Sequence, residues 1–240
     1  MLAVFAHPDD ESSAAGGLLA HHAAAGARTA VVTATWGADT VRAGELAVAL
    51  RILGADAPRM LEYADARVPE SAPGRPTFCE APIDDAVHRL VSHIREFRPE
   101  LIVTHDAYGG LTGHPDHLHT YRVTLLAAEA AGLEMYPDAG EPWQVGAVDL
   151  ATHPHSAVPM VRGFIGERRS VHTVPDENVT TSLDVSPWLQ KKVAAVLAHR
   201  TEVERGALPG LIAALSPDAQ ATLLSTEWYS RAGAHPVNRG

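Results

Sequence analysis

Cysteine is almost absent: Cys79 is the single one in 240 residues. That excludes an intramolecular disulfide framework and any cysteine-based zinc cluster. Basic residues are also scarce. Lys and Arg total 19 against 29 Asp and Glu, a formal net charge of −10. Such an acidic chain is a poor match for nucleic acid or an anionic membrane as main partner. No apolar run approaches the roughly 18 residues of a membrane span. Met1 leads at once into Leu2-Ala3-Val4-Phe5-Ala6 without a basic segment, so a secretory leader is not expected and a cytoplasmic protein is. What remains is ordinary globular composition, 46% hydrophobic and 20% charged, in a chain long enough to bury a core. Histidine is the abundant exception at 14 residues. It is the commonest metal ligand and the proton carrier of neutral pH.

Periodicity predicts alternating strands and helices in the first half. Leu2 to Ala6, Thr29 to Thr35, Met60 to Tyr63 and Leu101 to His105 read as short buried strands. Between them, Glu11 to Ala25, Thr40 to Leu53 and Pro82 to Phe97 read as helices, and Pro115 to Ala131 as a fourth, closed by Gly132. Pro82 suits a first helical position, and Ile83, Val87, Leu90, Ile94 and Phe97 form one apolar stripe. The rhythm predicts an α/β fold, a Rossmann-like and largely parallel sheet with helices on both faces. Beyond about residue 135 the pattern loosens. Val145 to Leu150 and Val161 to Ile165 are candidate strands, Ser186-Pro187 opens a helix to about Arg200, and Ser216-Pro217 opens a short one. One domain over 1–240 is expected, with a core at 1–135 and a C-terminal elaboration at 136–240.

Two constellations carry chemistry. Ala6-His7-Pro8-Asp9-Asp10-Glu11 falls where the first strand passes into the first helix, and open α/β sheets bind ligands beyond the carboxyl ends of their strands. Its imidazole and carboxylates suit zinc or another divalent ion. Adjacent aspartates cannot face the same way, so one can ligate while the other points at bound water. Gly113-His114-Pro115-Asp116-His117-Leu118-His119 follows the strand ending at His105. His114 and His117, three apart, share one helix face. One can bind metal while the other reaches the same space as an acid or donor, and Asp116 can orient an imidazole. Both segments contain His-Pro-Asp, and the two strand ends can be neighbours on one sheet edge.

These runs resemble the PIG-L/LmbE-like zinc deacetylases. The resemblance rests on AHPDDE at 6–11 and GHPDHLHT at 113–120, with support from Arg42-Ala43-Gly44-Glu45-Leu46, Leu53-Gly54, Asp184-Val185-Ser186-Pro187, Lys191-Lys192 and His199-Arg200. It implies that His7, Asp10 and His117 hold zinc, with iron or cobalt as alternatives. It implies Asp9 as general base, His114 as acid or oxyanion stabiliser, and Asp116 as an orienting partner. Arg42 and Asp65 resemble positions that contact the sugar. The mycothiol-deacetylase branch has a tyrosine where this chain has Thr112; Tyr108 is a candidate substitute.

The resemblance implies removal of an N-acetyl group from an N-acetylglucosamine-type sugar or glycosylated small molecule. Three alternatives compete: an amidase for a larger acyl group, a phosphate or nucleotide binder using Gly109 to Gly113 before the helix, and a non-catalytic metal-binding protein. The glycine loop lacks the lysine and spacing of a P-loop.

Overall fold

The structure is a computed structural model and describes residues 1–166 and 171–233. Seven strands form one sheet. In chain order the elements are β1 (Leu2–Phe5), α1 (Asp10–Ala24), β2 (Ala30–Thr35), α2 (Val41–Leu53), β3 (Arg59–Tyr63), α3 (Ile83–Phe97), β4 (Leu101–His105) and α4 (Pro115–Ala131). There follow β5 (Ala147–Thr152), α5 (Val158–Ile165), β6 (Thr181–Asp184), α6 (Leu189–Ala198), α7 (Arg200–Glu204), α8 (Leu208–Ala213), α9 (Pro217–Leu224) and β7 (Thr226–Arg231). The strand order is β3-β2-β1-β4-β5-β7-β6. The first five are parallel, and β7 and β6 add an antiparallel edge. The expected Rossmann-like arrangement with a C-terminal elaboration is therefore what the chain adopts.

Alternation along the central strands builds two cores. Leu2 and Val4 of β1 face one side, with Val87, Leu90 and Ile94 of α3 and Val123 and Ala127 of α4. Ala3 and Phe5 face the other, with Leu19 of α1, Leu46 and Leu50 of α2 and Ala195 of α6. A sheet buried on both faces explains why its strands are apolar runs rather than alternating ones. A third, smaller cluster lies in the elaboration. Val196, Ile212 and Leu224 are buried there, with Phe164, Leu189, Val193, Leu208 and Leu223 half-covered around them.

Several boundaries differ from the sequence reading. Val161 to Ile165 is helix, not strand: Pro159 sits in the first turn, where its missing N–H costs nothing, and α5 starts at Val158. The helix expected from Ser186 to Arg200 starts with a 3-10 turn and breaks at His199 (φ −78°, ψ 68°). Pro82 stands at the N-cap of α3 and not inside it. Strands β6 and β7 lay outside the expectation.

Helix α1 kinks at Ala15 (φ −143°, ψ 15°). The carboxylate of Glu227 accepts the N–H groups of Gly17 at 2.8 Å and Leu18 at 2.9 Å just beyond the kink, and Lys192 Nζ lies 2.8 Å from the same carboxylate. This buried pair pins α1 to α6 and β7. Val185 presses against the kinked turn so closely that a Cβ on Gly17 would overlap its side chain. Gly17→Ala should therefore cost about 1–3 kcal/mol by overpacking. That would lower Tm by several degrees in a chain of this size. Adding Val185→Ala should restore part of the loss; no change in Tm for the single variant would refute the packing argument.

Candidate metal-binding active site

Strands β1 and β4 are neighbours, and their onward connections run to opposite sides of the sheet. A crevice opens at such a switch point. The loop after β1 carries His7 to Asp10, and the loop after β4 leads to His114 to His117. The two are joined beneath the site, since His105 at the end of β4 accepts the Ala6 N–H at 3.3 Å.

His7, Asp10 and His117 converge. His7 Nδ1 lies 3.1 Å from His117 Nε2, and Asp10 Oδ2 lies 3.3 Å from each. The far nitrogens are occupied elsewhere. His7 Nε2 lies 3.3 Å from Asp116 Oδ2, and His117 Nδ1 lies 3.1 Å from the Gly109 carbonyl. If those nitrogens carry the protons, three lone pairs face one another with no hydrogen between the imidazoles. A cation resolves that arrangement. The triangle also has the right size, because a tetrahedron with zinc bonds of about 2.0 Å has edges of about 3.3 Å. The donor set thus fits a divalent ion.

The surrounding charge points the same way. Burial opposes charging His7, but hydrogen bonds to Asp10 and Asp116 outweigh it and raise its pKa to about 10. The cluster attracts positive charge. Asp116 is held in place by the N–H groups of Ala66 (2.9 Å) and Cys79 (3.0 Å). It is fully buried and orients His7 from behind. Other donor groups overlap the triangle: His7 with Asp65, His114 and Asp116; Asp10 with His105 and His117; and His7 with His114 and His117. The first is centred on Asp116, whose oxygens already serve two amides. The second uses His105 Nε2, which already accepts Ala6 N–H.

Asp9 stands beside the triangle on strained backbone, at φ 130° and ψ −24°. A non-glycine residue holds such a conformation only when its surroundings over-determine it. Here Glu11 Oε2 accepts the Asp9 N–H at 3.0 Å. Glu11 Oε1 lies 2.9 Å from His199 Nε2, and both residues are 0% exposed. Arg42 donates to the Pro8 carbonyl and, at 3.1 Å, to Asp9 Oδ1, while its other terminal nitrogen lies 3.2 Å from Glu202. The break at His199 thus serves the site, by turning that imidazole onto Glu11. Burial, and then the charge of Asp10, raise the Asp9 pKa to about 7 against the pull of Arg42. A carboxylate so placed can take and return protons near neutrality.

His114 caps α4, its Nδ1 accepting the Asp116 N–H at 3.2 Å. Its proton therefore sits on Nε2. Burial, then the charges of His7 and His117, lower its pKa to about 4. It is a neutral donor, not an imidazolium.

A cavity of about 360 Å³ opens over these groups; Asp9, Arg42, Asp65, His114 and Thr112 line it with the triangle. Arg42 is engaged largely with Asp9, Pro8 and Glu202. Asp65 accepts the Arg67 N–H at 2.7 Å and lies 3.4 Å from His7 Nε2. Tyr108 is half exposed, its ring 6.2 Å from that of His172, and it does not line the cavity. The glycine loop is turned inward: the amides of Tyr108 and Gly110 donate to Asp106 Oδ1, and Thr152 Oγ1 donates to Asp106 Oδ2 at 2.7 Å. Gly109 (φ +74°) lets the loop lie against His117, where a Cβ would come within 3.2 Å of it. His105, Asp106, Glu202 and the role of Glu11 were not singled out from sequence. For His105 and Asp106 the signal was present, since polar residues at the end of the strand beside β1 must face the switch point.

The chain resembles known proteins over nearly its whole length. The deacetylase of 1D-myo-inositol 2-acetamido-2-deoxy-alpha-D-glucopyranoside from Rhodococcus jostii (strain RHA1) is 37% identical, covering 95% of this chain and 90% of the relative. In fold, the chain is similar to a conserved protein from Thermus thermophilus (TM-score 0.69, 23% identity, 100% of this chain and 97% of that one). It is also similar to the N,N'-diacetylchitobiose deacetylase of Pyrococcus horikoshii (TM-score 0.65, 19% identity, 96% and 82%). Residues 2–128, which carry both His-Pro-Asp runs and the sheet edge that joins them, match the GlcNAc-PI de-N-acetylase profile, and the chain belongs to that PIG-L family.

Proposed function

We propose that this protein is a zinc-dependent N-deacetylase acting on an N-acetylglucosamine-type sugar or glycosylated small molecule. The observation that carries the reading is the triangle of donor atoms from His7, Asp10 and His117, 3.1 to 3.3 Å apart and open to a cavity that Asp9 also lines. Relatives named for hydrolysis of acetamido sugars support the substrate class. In this reading His7, Asp10 and His117 hold the ion, which supplies Lewis acidity when bound. Iron or cobalt would satisfy the same donors.

Asp9 removes a proton from the attacking water as its oxygen bonds to the amide carbon. His114 donates its Nε2–H to the carbonyl oxygen as negative charge develops there. The C–N bond then breaks, and Asp9 returns its proton to the departing nitrogen. The products are acetate and a free amine. Thr112 has a hydroxyl too short to replace a phenol over the oxyanion, so His114 carries that task. Asp116 holds His7, and Arg42 holds Asp9; Asp65 and Arg42 line the cavity that would receive the sugar.

The test is acetate and amine release from N-acetylglucosamine conjugates by zinc-loaded protein. Release that chelation abolishes and zinc restores is the expected result. Bound zinc with no amide hydrolysed across the panel would favour a non-catalytic metal protein. The clamp on Asp9 makes a second expectation. Glu11→Ala should lower kcat by about 10–100-fold through misplacement of Asp9, with metal content unchanged. Glu11→Gln, which keeps an acceptor for the Asp9 N–H, should lose less. Equal kcat in all three proteins would remove Glu11 from the mechanism.

A further inference from the structure

One side of the cavity is hydrocarbon. Five residues of the small C-terminal cluster, Phe164, Leu208, Ile212, Leu223 and Leu224, line it, and Trp228 of β7 continues the surface. A cluster with only three buried members and five half-covered ones is incomplete as a core. None of these side chains is among the exposed large hydrophobics of the described residues, and their uncovered area contributes to the cavity wall. It faces the same space as His7, Asp9 and His114. Lys192 and Arg205 also line the cavity, and both are paired: Lys192 lies 2.8 Å from Glu227 and is 2% exposed, and Arg205 pairs with Glu202. Sugar hydroxyls would find partners at Asp65 and Arg67, which line the same cavity. Along Phe164, Leu208 and Leu223 they would lose water and gain nothing.

The geometry points to a subsite for a hydrocarbon group on the substrate, an alkyl or aryl group of several carbons lying along α5, α8 and α9. The inference deepens the deacetylase reading and rests on it for the identity of the scissile amide. Hydrocarbon can be attached on either side of that amide: on the sugar as an aglycone, or on the carbonyl as a longer acyl chain. The wall recognises the same chemistry in both cases. Each methylene buried there is worth about a fourfold gain in affinity.

Two substrate series separate the sources. The first holds N-acetyl constant and varies the glycoside of N-acetylglucosamine through methyl, butyl, hexyl and octyl. The second holds the methyl glycoside constant and varies the acyl group through acetyl, butanoyl, hexanoyl and octanoyl. Amine release is measured in both. The expected result is a rise in kcat/KM of about fourfold per methylene in one series. A slope in the glycoside series places the hydrocarbon on the sugar, and a slope in the acyl series makes the protein an amidase for long acyl groups. Leu208→Asn and Leu223→Asn should each flatten that slope. Flat profiles in both series, or a slope that neither variant changes, would overturn the assignment. Calorimetric binding of the same compounds to Asp9→Asn protein keeps the two readings apart. A Kd that falls with chain length, without turnover of any compound by the unaltered protein, would refute the deacetylase and leave the subsite standing. A Kd indifferent to chain length would refute the subsite.

Discussion

Asp9→Asn should lower kcat for amide hydrolysis by about 10²–10⁴-fold, the usual contribution of a positioned general base. Asparagine has the same shape and can still accept from Arg42, so the strained turn keeps its hydrogen bonds to Glu11 and Arg42. What it lacks is a site for the proton. KM and zinc content should therefore stay close to those of the unaltered protein. The alternative role for Asp9, as a ligand, makes a different pattern: zinc would be lost together with activity. Asp9 is adjacent to Asp10, but its carboxylate is paired with Arg42 and belongs to none of the donor groups among the described residues, which supports a base over a ligand. Turnover near the unaltered level in Asp9→Asn would end the proposed chemistry.

His117→Ala should abolish turnover by a different route. It removes one of three donors, and with structural zinc sites worth about 10–16 kcal/mol over four ligands, one ligand corresponds to a loss in affinity of about 10²–10³-fold. The same change empties the ring position stacked on His105 at 3.9 Å and frees the Gly109 carbonyl. A structural effect is therefore expected as well, and Tm should be measured without metal. The discriminating quantity is zinc per chain after dialysis: near one for the unaltered protein and Asp9→Asn, and near zero for His117→Ala. Full retention of zinc by His117→Ala would remove that residue from the ligand set.

The first half of the fold was legible because each element repeats one simple pattern. The strands β1, β2 and β4 are buried on both faces and read as apolar runs, and α3 carries an unbroken stripe. The elaboration was harder for identifiable reasons. Val161 to Ile165 is too short for periodicity to separate helix from strand, and only Pro159 tips the balance. In β7 the two inward residues are Glu227 and Tyr229, so a buried carboxylate hides the alternation. The edge strand β6 has three exposed residues of four and offers no apolar face. Of the site, both His-Pro-Asp runs and their junction positions could be read directly. Their support could not. Glu11 finds His199 across 188 positions, and Arg42 finds Glu202 through a helix break that no local propensity announces.

The most direct test of the account is the position of the metal itself. Crystals of zinc-loaded protein, measured at the zinc absorption edge, should show one anomalous peak at about 2.0–2.2 Å from His7 Nδ1, Asp10 Oδ2 and His117 Nε2, with its remaining face toward the cavity. A peak between Asp65, His114 and Asp116, or none within reach of both His7 and His117, would contradict it.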